Sequence, residues 1–99
     1  MYIYNVTVNV DADIHDEWFL YMKETHIPDV MNTGCFTKNQ MVKVLNVNDE
    51  GFTYSIQYFF NNMDDITRYQ KEYAPRLQLE VKEKYADKFA AFRTLLEIV

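Results

Sequence analysis

The sequence contains little glycine and proline, and this shortage excludes a class of enzymes. Only two Gly and two Pro occur among 99 residues. Gly34 and Gly51 lie far apart in the chain, whereas a phosphate-cradling loop or a dinucleotide fingerprint needs clustered glycines. The signatures of most nucleotide-dependent enzymes are therefore missing.

Cysteine is also scarce, which limits covalent and metal chemistry. Cys35 is the single cysteine, so no disulfide can form within the chain. Together with His15 and His26 it does not supply the ligands of a standard zinc site. We therefore predict no metal and no cofactor. A lone cysteine fits a reducing compartment, so the predicted location is cytoplasmic.

Positive charge and long apolar runs are scarce too. Ten Lys and Arg oppose 15 Asp and Glu, which leaves a net charge of −5, so attraction to nucleic acid or anionic lipid is not expected. No segment approaches the roughly 18 consecutive apolar residues of a membrane span. The first residues lack the basic and apolar regions of a signal peptide. We predict neither a nucleic-acid partner nor a membrane association.

Apolar residues, by contrast, are plentiful. Hydrophobic residues make up 48% of the chain, aromatic residues 16% and charged residues 25%, which is the balance of a globular protein. This length fits one domain, predicted to span residues 1–99.

Apolar and polar residues alternate in several segments, which predicts β-strands. The predicted strands cover residues 2–10, 36–48, 52–61 and 89–99. The loop at residues 48–51 suits a type I turn with Gly51 in the left-handed conformation. That turn would pair even-numbered residues with even-numbered ones and keep Lys43 off the apolar face.

Two other segments have helical spacing. Trp18 and Met22 mark the apolar stripe of a first helix. Pro28 disfavours helix at Ile27, so this helix is predicted to end there, with Pro28 opening one further turn. Pro75 must kink or restart the second helix, because proline lacks an amide hydrogen and clashes with the preceding turn.

The resulting order is β-α-β-β-α-β. With right-handed crossovers this order predicts a ferredoxin-like α+β fold, in which both helices cover one face of a four-stranded antiparallel sheet. The first and third strands are predicted to be central.

The odd-numbered residues of these central strands would face away from the helices, and they are mostly short, polar and uncharged. A solvated face usually carries more Lys and Glu. We therefore predict that a second copy of the chain covers this face as a twofold homodimer, the alternative being a monomer with a polar open face. Arg93 and Glu97 are predicted to lie near the edge of this face. The odd-numbered residues of the central strands on this face are Asn5, Thr7, Asn9, Thr53, Ser55, Gln57 and Phe59.

The opposite face combines aromatic rings with polar groups. Buried Tyr and Trp need polar partners, which indicates a partly polar pocket, although simple packing is the alternative. His26 borders the helical stripe and is the candidate acid–base or ligand-binding group. Its alternative role is bonding to the helix C-terminal carbonyls. The predicted ligand-binding residues are Tyr4, Trp18, Met22, His26, Tyr54, Tyr58 and Arg93.

Arg93 has two interpretations. Its guanidinium could bind an anionic ligand through two parallel hydrogen bonds. It could equally pair with Glu97 or with a carboxylate across the dimer, and we favour this interface pair.

The element order and two short motifs carry a family resemblance. The motifs are His26-Ile27-Pro28 followed by Gly34, and the closing Phe92-Arg93-Thr94-Leu95-Leu96. With them the chain resembles the dimeric α/β-barrel superfamily, which includes antibiotic-biosynthesis monooxygenases, EthD-like proteins and stress-responsive A/B-barrel proteins. It looks most like a small bacterial family of unknown function. The resemblance implies a homodimer whose two sheets form a barrel, with a cleft between sheet and helices in each subunit, but it implies no activity.

Three functional hypotheses remain. The leading one is a protein that binds a small molecule in the aromatic cleft. The second is a cofactor-free oxygenase or isomerase with His26 as its base, and the third is a structural or partner-binding dimer without chemistry. RNA-recognition domains share this topology, but Glu50 stands where a basic residue is expected, and the charge is wrong.

Overall fold

The structure is a computed structural model that describes residues 1–47 and 50–99. Its strands are β1 (Tyr2–Val10), β2 (Lys38–Lys43), β3 (Phe52–Phe60) and β4 (Phe89–Glu97). They form one antiparallel sheet in the order β2-β3-β1-β4, with the first and third strands central, as predicted. The ferredoxin-like α+β fold is therefore confirmed.

The first crossover is a continuous helical segment with an unusual middle turn. It consists of α1 (His15–Tyr21), a π-helical turn (Met22–His26) and α2 (Ile27–Met31). The N–H of Ile27 donates to the carbonyl of Met22, five residues back. The predicted end near Ile27 is wrong because this wider turn carries the backbone past Pro28, which lies in the first turn of α2, where a missing amide hydrogen is tolerated. Gly34 follows α2 with a φ of 77°.

The second crossover is divided at its proline, as predicted. It consists of α3 (Met63–Glu72) and α4 (Ala74–Tyr85). Pro75 lies in the first turn of α4, and Tyr73 separates the helices with a non-helical φ of −123°. The chain therefore restarts its helix at Pro75. A 3₁₀ turn (Ala86–Lys88) then leads into β4.

Ala86 has a backbone conformation that normally belongs to glycine. Its φ is 46° and its ψ is −119°, a region in which the Cβ of an L-residue is strained. We expect Ala86→Gly to raise the free energy of unfolding by about 1 kcal/mol, because relief of strain exceeds the added entropy of the unfolded chain. Urea denaturation monitored by circular dichroism would measure this change, and a loss of stability would contradict the argument.

The predicted register of the hairpin is wrong. Lys43 lies opposite Tyr54 and Val42 opposite Ser55, so odd-numbered residues face even-numbered ones. Lys43 therefore lies on the helix side of the sheet, with its Nζ 4.9 Å from the centroid of the Phe52 ring. An edge strand can accept this residue because the apolar stem packs on the ring while the ammonium stays near water.

The hairpin loop is described only in part. Asn48 and Asp49, on which the predicted turn type depends, lie outside the described residues. Gly51 is described, and its φ of 81° is left-handed, as predicted.

One layer of core lies between the sheet and the helices. Even-numbered residues of β1 and β3 point into it, as the alternation predicted. The buried core includes Tyr4, Val8, Val10, Tyr54, Ile56, Tyr58 and Phe60 from the strands, and Trp18, Met22, Ile66, Tyr69, Leu77 and Val81 from the helices.

The placement of β4 corrects the prediction for Arg93. Val6 lies opposite Arg93 and Tyr2 lies opposite Glu97. Directly opposed residues of an antiparallel pair share a side of the sheet, so Arg93 and Glu97 lie on the helix side and not on the opposite face. Alternation along β4 shows which of its residues share a face, but only the register with β1 decides which face that is.

The side of the sheet away from the helices, hereafter the open face, carries a chain of hydrogen bonds. Gln40 donates to Gln57 at 2.7 Å, and Gln57 donates to Ser55 at 3.2 Å. Ser55 in turn donates to Asn5, whose amide donates to Thr7 at 3.1 Å. These short polar residues satisfy one another across the strands.

The rims of the sheet differ from this polar centre. Phe92 and Leu96 of β4 project on the open face, and Phe92 is 63% exposed. On the opposite rim, β2 carries Lys38 and Lys43, each with its ammonium over an aromatic ring of β3.

Candidate functional site

A cleft lies between the helices and the β1–β4 half of the sheet. Its main part has a volume of about 50 Å³, and an adjoining part of about 30 Å³ shares several of its lining side chains. Ala91, opposite Val8 in the sheet, is small and leaves room beneath the helices. Each part is large enough for ordered water or a few ligand atoms. The polar side chains that line both parts are His26, Gln78 and Arg93.

His26 reaches the cleft from the π-helical turn. Its Nδ1 atom is buried and has no hydrogen-bond partner among the described residues. Burial is the main reason why the pKa of this imidazole falls to about 4; Asp29 opposes the change and Arg93 adds to it. His26 is therefore neutral at pH 7. The alternative role of a cation bonded to helix C-terminal carbonyls is wrong, because the helix continues beyond His26 and Nδ1 has no partner in the part of the chain that the structure describes.

Arg93 enters the cleft from β4. Among residues 1–47 and 50–99 it makes no ion pair with a carboxylate, so a pair with Glu97 is not formed within the chain. Its guanidinium lies beside the Tyr4 hydroxyl, as does the Gln78 amide. Burial raises the pKa of Tyr4, and these two neighbours partly offset that rise.

Aromatic rings form the inner wall of the cleft. The Tyr4 ring centroid lies 5.6 Å from that of Tyr69 and 6.1 Å from that of Tyr58. Burial raises the pKa of the Tyr58 and Tyr69 hydroxyls as well. All three phenols remain protonated at neutral pH and can act as hydrogen-bond donors.

The structure brings six of the seven predicted ligand-binding residues to this cleft. They are Tyr4, Trp18, Met22, His26, Tyr58 and Arg93. Tyr54 is buried on the same side of the sheet but does not line the cleft. Its hydroxyl lies 2.7 Å from Nε2 of His15, whose Nδ1 lies 2.9 Å from a carboxylate oxygen of Asp16. Tyr54 lies near the start of β3, and this position places its side chain against α1.

Sequence reasoning missed two polar residues of the cleft, Gln78 and Tyr69. Gln78 lies beside Leu77 and one turn before Val81, at the border of the apolar stripe of α4. A polar residue at such a border is the signal that could have identified it. Tyr69 is a buried residue of α3, and helical spacing alone does not show that its ring borders the cleft.

The described residues contain neither a cluster of metal ligands nor a helix that could span a membrane. Among residues 1–47 and 50–99, no three His, Cys, Asp or Glu side chains come together as a metal site would require. No helix in the same part of the chain has both the length and the apolar character needed to cross a bilayer.

The full sequence, residues 1–99, matches the family described as a domain of unknown function, DUF4286. The chain belongs to this family. Two solved structures share the fold of this DUF4286 chain. An ethyl tert-butyl ether d (EthD) family protein from Bacillus halodurans C-125 has a TM-score of 0.73 at 9% identity, with 100% of both chains covered. A dimeric ferredoxin-like protein from an uncultured marine organism has a TM-score of 0.63 at 16% identity, with 99% of this chain and 94% of that chain covered.

The TM-scores show a shared fold, and a shared fold at these identities says nothing about activity. The curated proteins contain no match to the DUF4286 sequence.

Proposed function

We propose that this DUF4286 protein is a homodimer that binds a small molecule in the cleft between helices and sheet. The observation that carries the proposal is the buried Nδ1 of His26, which has no partner among the described residues, beside a guanidinium that pairs with no carboxylate of residues 1–47 and 50–99. A buried polar atom without a partner costs about 1–3 kcal/mol. A ligand that supplies the missing partner removes that cost, and this favours binding.

The hypothesis of base catalysis receives less support from the same residues. An imidazole with a pKa of about 4 is a weak proton acceptor at neutral pH, whereas an effective general base has a pKa close to the working pH. Ligand binding therefore explains the cleft better than an oxygenase or isomerase reaction that relies on His26.

Native mass spectrometry of freshly purified protein tests the binding proposal. We expect a mass above that of two 11.9-kDa chains, with the excess released by denaturation and identifiable after extraction. A protein that is empty on isolation, and that gains no thermal stability from any compound in a broad small-molecule library, would contradict the proposal.

The open face supports self-association. Its polar centre is already hydrogen-bonded, so covering it leaves few polar groups without partners. Beside that centre lies an apolar groove of about 350 Å³, bordered by Val44, Val47 and Phe92. A solved neighbour with this fold is described as dimeric. We propose that two copies meet through their open faces around a twofold axis, since such an interface uses the same patch twice.

Phe92→Lys tests this interface. Because Phe92 is 63% exposed in the isolated chain, the substitution should leave the monomer folded while placing two ammonium groups in the proposed interface. We expect the wild type to elute as a dimer in size-exclusion chromatography with light scattering, and Phe92→Lys as a monomer.

Leu79→Lys is the matched control for this substitution. Leu79 is also half exposed, at 52%, but lies on α4 on the helix side of the sheet. It should leave the dimer intact. A monomeric wild type, or a Phe92→Lys protein that remains dimeric, would refute the open-face interface.

A further inference from the structure

We infer that the ligand of the cleft is a monocarboxylate with a short apolar body, held through its carboxylate by Arg93. This inference rests on the proposed function and specifies the chemical class of the ligand. It depends on the polar groups present, the single positive charge and the size and walls of the cleft.

The charge in the cleft is the first argument. Arg93 carries a permanent positive charge and has no carboxylate partner among residues 1–47 and 50–99. It is the only Lys or Arg among the described residues that line the two parts of the cleft. The chain as a whole has a net charge of −5. One cation in an acidic protein matches a single negative charge and matches a doubly charged phosphate poorly.

The hydrogen-bonding groups are the second argument. A guanidinium presents two parallel N–H donors that fit the two oxygens of a carboxylate. The hydroxyl of Tyr4 lies beside that guanidinium and beside the amide of Gln78, and the hydroxyl and the amide can donate to the same oxygens. Neutral His26, in the tautomer with hydrogen on Nδ1, adds a donor that no other described residue uses. The donors therefore converge where an acceptor-only group would sit.

The size and walls of the cleft are the third argument. The two parts measure about 50 Å³ and about 30 Å³, which limits the enclosed portion of the ligand to a few atoms. Beyond its polar groups the cleft is lined by apolar side chains such as Val6, Met22 and Val81. Arg93 is itself exposed, so the cleft reaches solvent at the end where it would hold the charge. A short alkyl group fits against the apolar wall.

Butyrate and butyramide are the probes for this inference, because they match in size and differ in charge. Titrations followed by nuclear magnetic resonance of the ¹⁵N-labelled protein would give both dissociation constants. We expect butyrate to bind at least about tenfold more tightly, the effect of one charge-assisted hydrogen bond. Inorganic phosphate should not compete. Equal binding of the amide, or displacement of butyrate by phosphate, would overturn the inference.

Arg93→Gln removes the charge at an exposed position and should weaken butyrate binding at least about tenfold, and should weaken butyramide binding less, because the amide lacks the negative charge. Arg76→Gln is the matched control, because Arg76 is an exposed arginine of α4, outside the cleft, that pairs with Glu80. It should bind butyrate like the wild type. Equal effects of the two substitutions would show that only general charge is involved, against the inference.

The inference and the proposed function fail in different ways. If the molecule released in native mass spectrometry is neutral or a phosphate, the cleft binds a ligand and the carboxylate assignment is wrong. If butyrate and butyramide perturb no cleft residue, the carboxylate assignment is wrong; if the protein is also empty and no compound in the library stabilises it, the proposed function is wrong as well.

Discussion

Replacement of Gly51 by alanine is expected to destabilise the protein by about 3 kcal/mol, the range of severe backbone strain combined with steric overlap. Gly51 has a φ of 81°, and a Cβ at this position would lie 2.3 Å from the carbonyl oxygen of Val10. Val10 is fully buried at the end of β1, so its carbonyl cannot move away freely. Urea denaturation and the melting temperature would measure the loss.

Gly34 provides a matched control for this substitution. Its φ of 77° is nearly the same, but an added Cβ would meet no atom within 4 Å. Gly34→Ala should therefore cost only the backbone term, about 1 kcal/mol. Equal losses in the two variants would show that the contact with Val10 has no energetic weight.

The pH dependence of stability is expected to report on His26, which is partly buried. Its pKa is about 4 in the folded protein and about 6.5 in an unfolded chain. Between these values the unfolded state binds more protons, so stability falls as the pH decreases. The contribution of neutral His26 to the free energy of unfolding is complete above pH 6.5, declines between pH 6.5 and 4, and is lost below pH 4. Its size is roughly 3 kcal/mol.

His26→Gln isolates this contribution from that of the carboxyl groups. Glutamine does not titrate, so the difference in unfolding free energy between wild type and variant should shrink by roughly 3 kcal/mol from pH 7 to pH 4. Urea denaturation at several pH values would measure it. A difference that stays constant over this range would mean that His26 is not buried as described.

The parts of the fold that depend on local chemistry could be predicted from the sequence. The alternation of β1 and the restart at Pro75 follow from backbone and side-chain properties of neighbouring residues. Register could not be predicted in the same way. The β2–β3 prediction relied on keeping Lys43 away from apolar neighbours, whereas at an edge strand its ammonium lies over the Phe52 ring.

The candidate site likewise has residues that local spacing could predict and residues whose position depends on register. Helical spacing identified Trp18 and Met22, because one helix presents both to the same neighbour. Arg93 was selected for its chemistry but assigned to the wrong face, since only its pairing with Val6 decides the side. Tyr54 and Tyr58 lie on the same side of β3, but only Tyr58 lines the cleft. Alternation along a strand shows the side on which a residue lies and not its position along the strand, so it could not separate the two.

The two edges of the sheet differ in their resistance to aggregation. An unpaired strand edge can accept a strand from another molecule, and lysine side chains along an edge oppose that addition. The β2 edge carries Lys38 and Lys43, whereas β4 exposes Phe92, Leu95 and Leu96. At high protein concentration, strands of other molecules would therefore add first to the β4 edge. Shielding that single edge would protect the protein against fibril formation.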